Sequence, residues 1–304
     1  MSDFTDSFWD YYVGIITLVS IVACVVLLKS TSTRRIPGGA TTGHTWDEDL
    51  GELNTPLPRW WIWLFYITIV FSLVYLVLYP GLGSYAGSTR WTSKGQYAAE
   101  VKQANEQYGP LYEKYAAQDL KRVAADPQAR AIGQRLFLNY CAQCHASDGG
   151  GSKGFPNLTD RDWLYGGEPE TIKASILNGR DGIMPPLGAA LGEEGTKDAA
   201  HYVLSLSGRK SDPVRAARGK EKFSLCAACH GAGGKGDRQL GAPDLTDQIW
   251  LHGSSEATVI ETITKGRNNV MPANKEFLGE AKVHILAAYV YSLSNPQAVR
   301  TPVR

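Results

Sequence analysis

Two short segments of identical pattern stand out in the second half of the chain. Cys141-Ala-Gln-Cys144-His145 is followed 85 residues later by Cys226-Ala-Ala-Cys229-His230. Two thiols at this spacing can add to the two vinyl groups of a haem, and the histidine directly after them can ligate its iron. A thioredoxin-like redox pair or half of a zinc site uses similar cysteine spacing, but neither explains the histidine in both copies. The sequence therefore predicts two covalently attached c-type haems.

Two of the three methionines lie at matched distances behind these segments. Met184 follows His145 by 39 residues, Met271 follows His230 by 41, and a proline comes after each methionine. Methionine usually fills a core, but matched positions favour thioether ligands to the two irons. We expect His145 to share an iron with Met184 and His230 with Met271, because each repeat looks complete, while an exchange of methionines stays open. Two strong axial ligands leave no open position for oxygen or substrate, which predicts one-electron transfer.

Other residues recur at nearly the same offset, so the haem-binding part is a tandem repeat. The recurring pairs are Asn157-Leu-Thr-Asp and Asp244-Leu-Thr-Asp, Trp163 and Trp250, Gly179-Arg180 and Gly266-Arg267, and Tyr202-Val203 and Tyr289-Val290. A constant offset over about 75 residues indicates two copies of one small domain. We place them at residues 128–210 and 211–304.

The first third of the chain contains two long uncharged apolar runs, Tyr11–Leu28 and Trp60–Tyr79. Each is long enough to cross a bilayer as a helix, and the acidic start of the chain is unlike a cleaved signal peptide. The segment between the runs holds Lys29, Arg34, Arg35 and Arg59. The excess of basic residues predicts that 29–59 is cytoplasmic and that the N-terminus and the haem domains are periplasmic.

The remaining segment, residues 82–127, is a polar connector after the membrane anchor of residues 1–81. We expect two short helices in it, broken at Gly109 and Pro110, and a spacer role. The charge of the whole chain is balanced, with 31 basic and 30 acidic residues. This balance gives no support for nucleic-acid binding.

Each repeat resembles class I cytochrome c, which implies a mainly helical fold. Glycine and phenylalanine four residues apart precede each haem segment, and in the family this glycine lets the first helix approach the last; here they are Gly133, Phe137, Gly219 and Phe223. The resemblance also implies that the carbonyls of Pro156 and Pro243 accept a hydrogen bond from the ligand histidines. It implies haem-propionate contacts for Trp163, Trp250, Arg180 and Arg267, for which ordinary packing is the alternative.

The segment from Gly43-His44-Thr-Trp46-Asp to Leu53-Asn54-Thr-Pro56-Leu-Pro58-Arg-Trp-Trp61 resembles one family more closely. It is similar to the dihaem membrane subunit, CcoP or FixP, of cbb3-type cytochrome c oxidases in the bacterial inner membrane. This resemblance implies an electron-transfer subunit without catalytic residues of its own. It would accept electrons from a donor cytochrome c and pass them to the monohaem cytochrome c subunit, which feeds the haem–copper subunit where oxygen is reduced and protons are pumped.

Two other functions stay open at this point. The chain could be the dihaem cytochrome of another membrane dehydrogenase or reductase. It could also be a dihaem peroxidase, which would need one iron with an open coordination position.

Overall fold

The computed structural model describes residues 6–32, 41–53 and 55–296, which form two compact units that meet in sequence between Glu106 and Gln107. Each unit is described by itself. Arg34, Arg35 and Asn54, which the sequence analysis used, lie outside the described residues.

The first unit contains two long apolar helices and a small hairpin. Helix α1 is Ser7–Ser32, strands β1 and β2 are Thr41–Trp46 and Leu50–Leu53, and helix α2 is Arg59–Leu78. Both helices are long and apolar enough to cross a membrane, with mean hydropathies of 2.5 and 2.3 in their most apolar windows. They contain the two predicted runs apart from Tyr79, which caps α2. No side chain of α2 is buried, so its apolar surface requires lipid or another protein.

The connector differs from the expected two short helices. Helix α3, Ser93–Ala116, continues through Gly109 and Pro110 as one helix of 24 residues, and the short α4, Leu120–Ala125, follows. Proline in a helix removes one backbone hydrogen bond, and the exposed surroundings of Pro110 allow water to replace it. Tyr115, Leu120 and Val123 are almost completely buried in the core that follows. The end of the connector is therefore part of a folded body and more than a spacer.

The second unit holds both repeats. Its remaining elements are α5 Pro127–Tyr140, α6 Ala142–His145, α7 Pro169–Asn178, β3 Arg180–Met184, α8 Gly188–Leu206, α9 Pro213–Lys222, α10 Ser224–His230, α11 Glu256–Lys265, β4 Arg267–Met271, α12 Lys275–Leu278 and α13 Glu280–Ser294. Aspartates cap several helices: Asp126 accepts from the backbone N–H groups of Gln128 and Ala129, and Asp212 does the same for Val214 and Arg215. The predicted mainly helical fold is confirmed.

The helices of the second unit pack as two bodies that do not follow the order of the repeats. The first body joins α4, α5 and α7 of the first half to α12 and α13 from the end of the chain. The second body joins α8 to α9, α10 and α11. Each body therefore takes its first helices from one repeat and its last helix from the other.

The exchange takes place at a two-stranded antiparallel sheet. Strands β3 and β4 run past each other with Gly182 opposite Asn269 at the centre. After β3, helix α8 is broken at Gly192 (φ 68°). The equivalent residue of the second repeat, Gly279 (φ 77°), separates α12 from α13. The two halves thus keep the same local structure after they cross.

Candidate haem sites

The two motif histidines make the same contact with a loop proline. His145 Nδ1 lies 3.0 Å from the carbonyl oxygen of Pro156, and His230 Nδ1 lies 3.0 Å from that of Pro243. A carbonyl can only accept, so each Nδ1 carries the proton and each Nε2 keeps a free lone pair. This hydrogen bond orients the ring and leaves Nε2 available for a metal.

Two glycines that the sequence analysis did not single out make this contact possible. The N–H groups of Gly151 and Gly236 donate to the carbonyls of His145 and His230, at 2.9 and 2.8 Å. Both glycines have positive φ, 71° and 77°, and a Cβ on Gly151 would lie 2.7 Å from the Pro156 carbonyl oxygen. Only glycine fits where the loop passes so close to itself. The signal was present in the sequence, because the two glycines are offset by the same 85 residues as the cysteines.

None of the four motif cysteines is paired in a disulfide. Burial, with a smaller contribution from Cys144, raises the pKa of the Cys141 thiol to about 11. Burial also raises the pKa of Cys226. The histidine that follows both cysteine pairs is what the thioredoxin-like and zinc alternatives leave unexplained.

Each methionine packs in the body that holds the other repeat's haem motif, whereas the expected ligand pairs were His145 with Met184 and His230 with Met271. Met271 packs against the first core, as Cys141 and Ala142 do. Met184 packs against the second core, which includes Cys226 and against which Ala227 also packs. The physical reason is the crossing of β3 and β4, which carries each methionine and the helix after it into the other body.

The close helix approach expected of the family is also exchanged. A Cβ on Gly133 in α5 would lie 2.5 Å from the Cβ of Tyr289 in α13. A Cβ on Gly219 in α9 would collide with the carbonyl of Asp198 and lie 2.9 Å from the Cβ of Tyr202 in α8. Phe137 contacts Tyr289 and Phe223 contacts Tyr202, with ring centroids 5.6 and 5.1 Å apart. Both approaches join the first helix of one repeat to the last helix of the other.

The tryptophans and arginines expected near the propionates lie at equivalent places in the two bodies. Trp163 packs against the first core and Trp250 against the second. Arg180 Nε donates to Ser175 Oγ at 2.9 Å, and Arg267 donates to Thr262 Oγ1 through Nε at 3.0 Å and Nη2 at 2.7 Å. Trp250 Nε1 is buried and has no hydrogen-bond partner within the described protein.

These residues fit a c-type haem in each body. Each site combines two thiols, an oriented imidazole with a free Nε2 and a methionine brought in from the other repeat. The unpartnered indole N–H of Trp250 is suited to an acidic group of a bound cofactor. With the two apolar helices of the first unit, the sites define a membrane-anchored dihaem c-type cytochrome.

Comparison with known proteins identifies the family. Residues 38–86 match the N-terminal domain of cytochrome oxidase-cbb3, FixP, and residues 128–203 and 215–290 each match cytochrome c oxidase, cbb3-type, subunit III. The chain is 53% identical over 301 residues to subunit CcoP of Rubrivivax gelatinosus, covering 98% of this chain and 99% of the relative. It is 43% identical to subunit FixP of Bradyrhizobium sp. ORS 278, covering 85% and 96% of the two chains, and 39% identical to subunit CcoP of Rhodobacter capsulatus, covering 84% and 96%.

The chain belongs to the CcoP/FixP family of cbb3-type cytochrome c oxidase subunits. It is a membrane-anchored electron-transfer subunit of such an oxidase and carries two c-type haems. The predicted family, fold class, cofactors and general function are thereby confirmed.

Proposed function

We propose that this subunit relays electrons one at a time from a donor cytochrome c to the monohaem cytochrome c subunit of the oxidase, which feeds the haem–copper subunit. Cys141 and Cys144 attach the first haem, and Cys226 and Cys229 attach the second. The bound haems supply the reversible one-electron chemistry. The chain itself contributes ligands, an apolar enclosure and a fixed orientation of the imidazoles.

The exchanged methionines are the observation that supports this function best. Met271 packs against the core of the first body and Met184 against that of the second, so each body would offer its haem iron a methionine in addition to the histidine. The proposed ligand pairs are His145 with Met271 and His230 with Met184. Two such ligands close the iron to oxygen and peroxide. This coordination favours electron transfer over the peroxidase alternative, which requires an open iron.

Two measurements test the closed coordination and the relay. Carbon monoxide added to the reduced subunit should leave both haem spectra unchanged, whereas binding to either haem would favour a peroxidase. Anaerobic rapid mixing of the oxidase with reduced donor cytochrome c should reduce the haems of this subunit before those of the catalytic subunit. Reduction of the catalytic subunit first would contradict the relay.

The exchanged ligand pairs can be tested with an optical marker on one haem. In Cys141→Ala the first haem keeps a single thioether bond, which changes its visible spectrum and distinguishes it from the second haem. Replacing Met271 by histidine should then lower the potential of the marked haem, and replacing Met184 should lower that of the unmarked haem. The reverse result would restore pairing within each repeat.

A cross-linking experiment on the unmodified protein tests the exchange independently. Lys173 Nζ in α7 and Glu280 Oε1 in α13 are 3.0 Å apart, so a carbodiimide should join them through an amide bond. The equivalent of Glu280 in the first repeat is Glu193, which here contacts Lys197. A cross-linked peptide containing Lys173 and Glu280 supports the exchange, and one containing Lys173 and Glu193 contradicts it.

The proposed orientation places residues 29–59 in the cytoplasm and the N-terminus and both haem domains in the periplasm. Lys29 lies in the last turn of α1 and Arg59 is the first residue of α2, so both border the segment between the two helices, as expected of a cytoplasmic loop. A reporter that is active only in the periplasm should be active after Arg304 and inactive after Gly39. The opposite pattern on stable fusions would reverse the orientation.

A further inference from the structure

The two haem bodies contact each other through side chains at equivalent positions of the two repeats. These are Tyr165 in the first body and His252 in the second, related by the offset of 87 residues. A Cβ on Gly241, in the loop after the second haem motif, would collide with the ring of Tyr165. A Cβ on Gly154, in the loop after the first motif, would lie 3.8 Å from Cε1 of His252. Each side chain therefore reaches the haem-motif loop of the other body.

The same two side chains also contact the strands that cross between the bodies. Tyr165 Oη donates to the carbonyl of Asp181 in β3 at 3.4 Å and lies beside Gly182. His252 Nε2 lies 3.1 Å from the amide nitrogen of Asn269 in β4, the residue opposite Gly182 in the sheet. The larger ring thus faces glycine and the smaller ring faces asparagine. Of the two side chains, only the imidazole titrates near neutral pH.

The neutral form of His252 fits this contact better than the charged form. The amide nitrogen of Asn269 can only donate, so Nε2 of His252 accepts and Nδ1 carries the proton. Burial, and then the positive charges of Arg267 and Lys153, lower the pKa of His252. Glu261 in α11 acts in the opposite direction, but it also faces Arg267 at 3.7 Å. Protonation of His252 therefore sets two donors against each other and adds a third positive charge.

A cavity of about 530 Å³ lies beside this contact, between the two bodies. His252, Lys153, Asp160 and Asp162 are among the residues that line it, and the half-buried imidazole can exchange its proton with water there. Burial raises the pKa of both aspartates. Their negative charges therefore diminish as pH falls, and they compensate less for a positive charge on His252.

We propose that His252 is a positioning residue that holds the two haem bodies together while it is neutral, and that its protonation loosens this contact and slows electron transfer between the haems. The proposal rests on the relay proposed above, in which one ferrous haem is oxidised and the other, ferric haem is reduced. Transfer between two held groups depends on their relative position. Because the pKa of His252 is lowered by folding, the contact is strongest at neutral pH and weakens as pH falls below about 6.5.

Hydrogen exchange tests the contact itself. The N–H of Gly154 donates to the carbonyl of Leu251 at 2.8 Å, which joins the two bodies next to His252. In the full-length protein with both haems, protection of this amide, corrected for the intrinsic effect of pH, should fall several-fold between neutral pH and about pH 5. The double variant His252→Tyr with Asn269→Gly copies the pair of the first repeat and should keep its protection. His44→Tyr, the same change on the exposed hairpin of the first unit, is the control and should show the fall.

A variant that reverses the pH dependence gives a sharper test and also serves if the double variant is unstable. Asn269→Asp places a carboxylate beside Nε2, so protonated His252 should be held more firmly and protection should rise in acid.

Electron transfer between the haems should follow the same three patterns. The first haem is marked by Cys141→Ala, the protein is partly reduced by a photochemical pulse, and equilibration between the haems is followed optically. The rate should fall several-fold in acid with the native His252, stay constant in the double variant and rise in Asn269→Asp.

The outcomes separate this proposal from the proposed function. An equal loss of protection in the unmodified protein and the double variant would overturn the role of His252, and so would a loss in Asn269→Asp. Exchange that follows the expected pattern with an equilibration rate that does not would overturn the effect on electron transfer. Carbon monoxide binding to either haem would overturn the proposed function and would leave the exchange results standing.

Discussion

Met184 lies opposite Arg267 in the antiparallel register of β3 and β4, and Met271 lies opposite Arg180. Each methionine is therefore the partner of an arginine from the other repeat. Along both strands half-buried positions alternate with exposed ones, and both methionines share the half-buried face. A shift of one residue in the pairing of β3 with β4 would turn methionine side chains to the opposite face of the sheet. The observed register therefore fixes the positions of both candidate ligands.

The glycine contacts between exchanged helices give a first prediction. Gly133→Ala places a Cβ 3.0 Å from the carbonyl oxygen of Ile285 and closer still to Tyr289. We expect it to destabilise the protein by about 1–3 kcal/mol and to weaken the near-infrared band of Met-ligated ferric haem. Denaturant unfolding followed at this band measures both effects. Gly233→Ala is the control, because a Cβ there meets nothing within 4 Å, and an equal loss in the control would contradict the packing argument.

A cluster of aspartates gives a prediction on pH. Burial, and then the charges of Asp247, Asp160 and Asp244, raise the pKa of Asp162. Because its pKa is higher in the folded than in the unfolded state, its ionisation favours unfolding as pH rises through this interval. Asp162→Asn should therefore raise the thermal midpoint at neutral pH, and the gain should disappear in acid.

Thermal unfolding at neutral and acidic pH checks this expectation. The exposed Glu113 offers a control, Glu113→Gln, which should leave the midpoint nearly unchanged. A midpoint lowered by Asp162→Asn at neutral pH would show that this carboxylate makes a favourable contact in the charged state.

Asp198 should behave in the opposite way. It is 4% exposed and accepts hydrogen bonds from Arg218 Nε and Nη2, both at 2.9 Å. These bonds lower its pKa, with further contributions from the charges of Arg218 and Arg215. The stabilisation is present above the unfolded-state pKa and is lost as pH falls through the lowered pKa. Asp198→Asn should thus lower the midpoint at neutral pH, with a difference that shrinks in acid.

The control for Asp198 is an exposed ion pair of the same helix. Glu193 contacts Lys197 at 2.8 Å on the surface, and such pairs contribute little. Glu193→Gln should have a small effect at every pH. A difference between Asp198→Asn and the unmodified protein that persists at low pH would assign the effect to packing and not to charge.

We predict that the hairpin of the first unit docks the subunit to the rest of the oxidase. Trp46 and Leu50 face each other across β1 and β2 and are 60% and 63% exposed, so they present an apolar pair. Replacing both by serine, or Asn54, Pro56 and Pro58 together, should release the subunit from the oxidase during purification and leave both haems attached. Haem staining and subunit composition measure the outcome. Intact assembly would leave the element as an interfacial anchor.

Contacts within one loop could be predicted from the sequence. The exchange of helices between the two repeats could not. The cysteines, histidines and prolines act within one loop, so the resemblance to class I cytochrome c was enough to predict the contacts of His145 with Pro156 and of His230 with Pro243. The close approach of a first helix to a last helix at Gly133 and Gly219 was also expected from that resemblance, because both repeats contain the glycine. Which copy of Tyr202 or Tyr289 meets Gly133 depends on non-local packing, and equivalent residues in two repeats give identical local signals.

The continuous helix at Pro110 was missed for a related reason. A proline marks a probable helix boundary in sequence, but a helix can tolerate it where water satisfies the freed carbonyl. The burial of Tyr115 and Leu120 could not be predicted from the sequence either, because it depends on packing against helix α13 from the far end of the chain.

The exchange of helices also makes the two bodies differ in the order in which their parts are synthesised. Cys141 and Cys144 precede Met271 and α13, which complete the first body, by more than 120 residues. Met184 and α8, which complete the second body, instead precede Cys226 and Cys229. During translation the two nearly alike bodies therefore become complete in opposite orders relative to their cysteines.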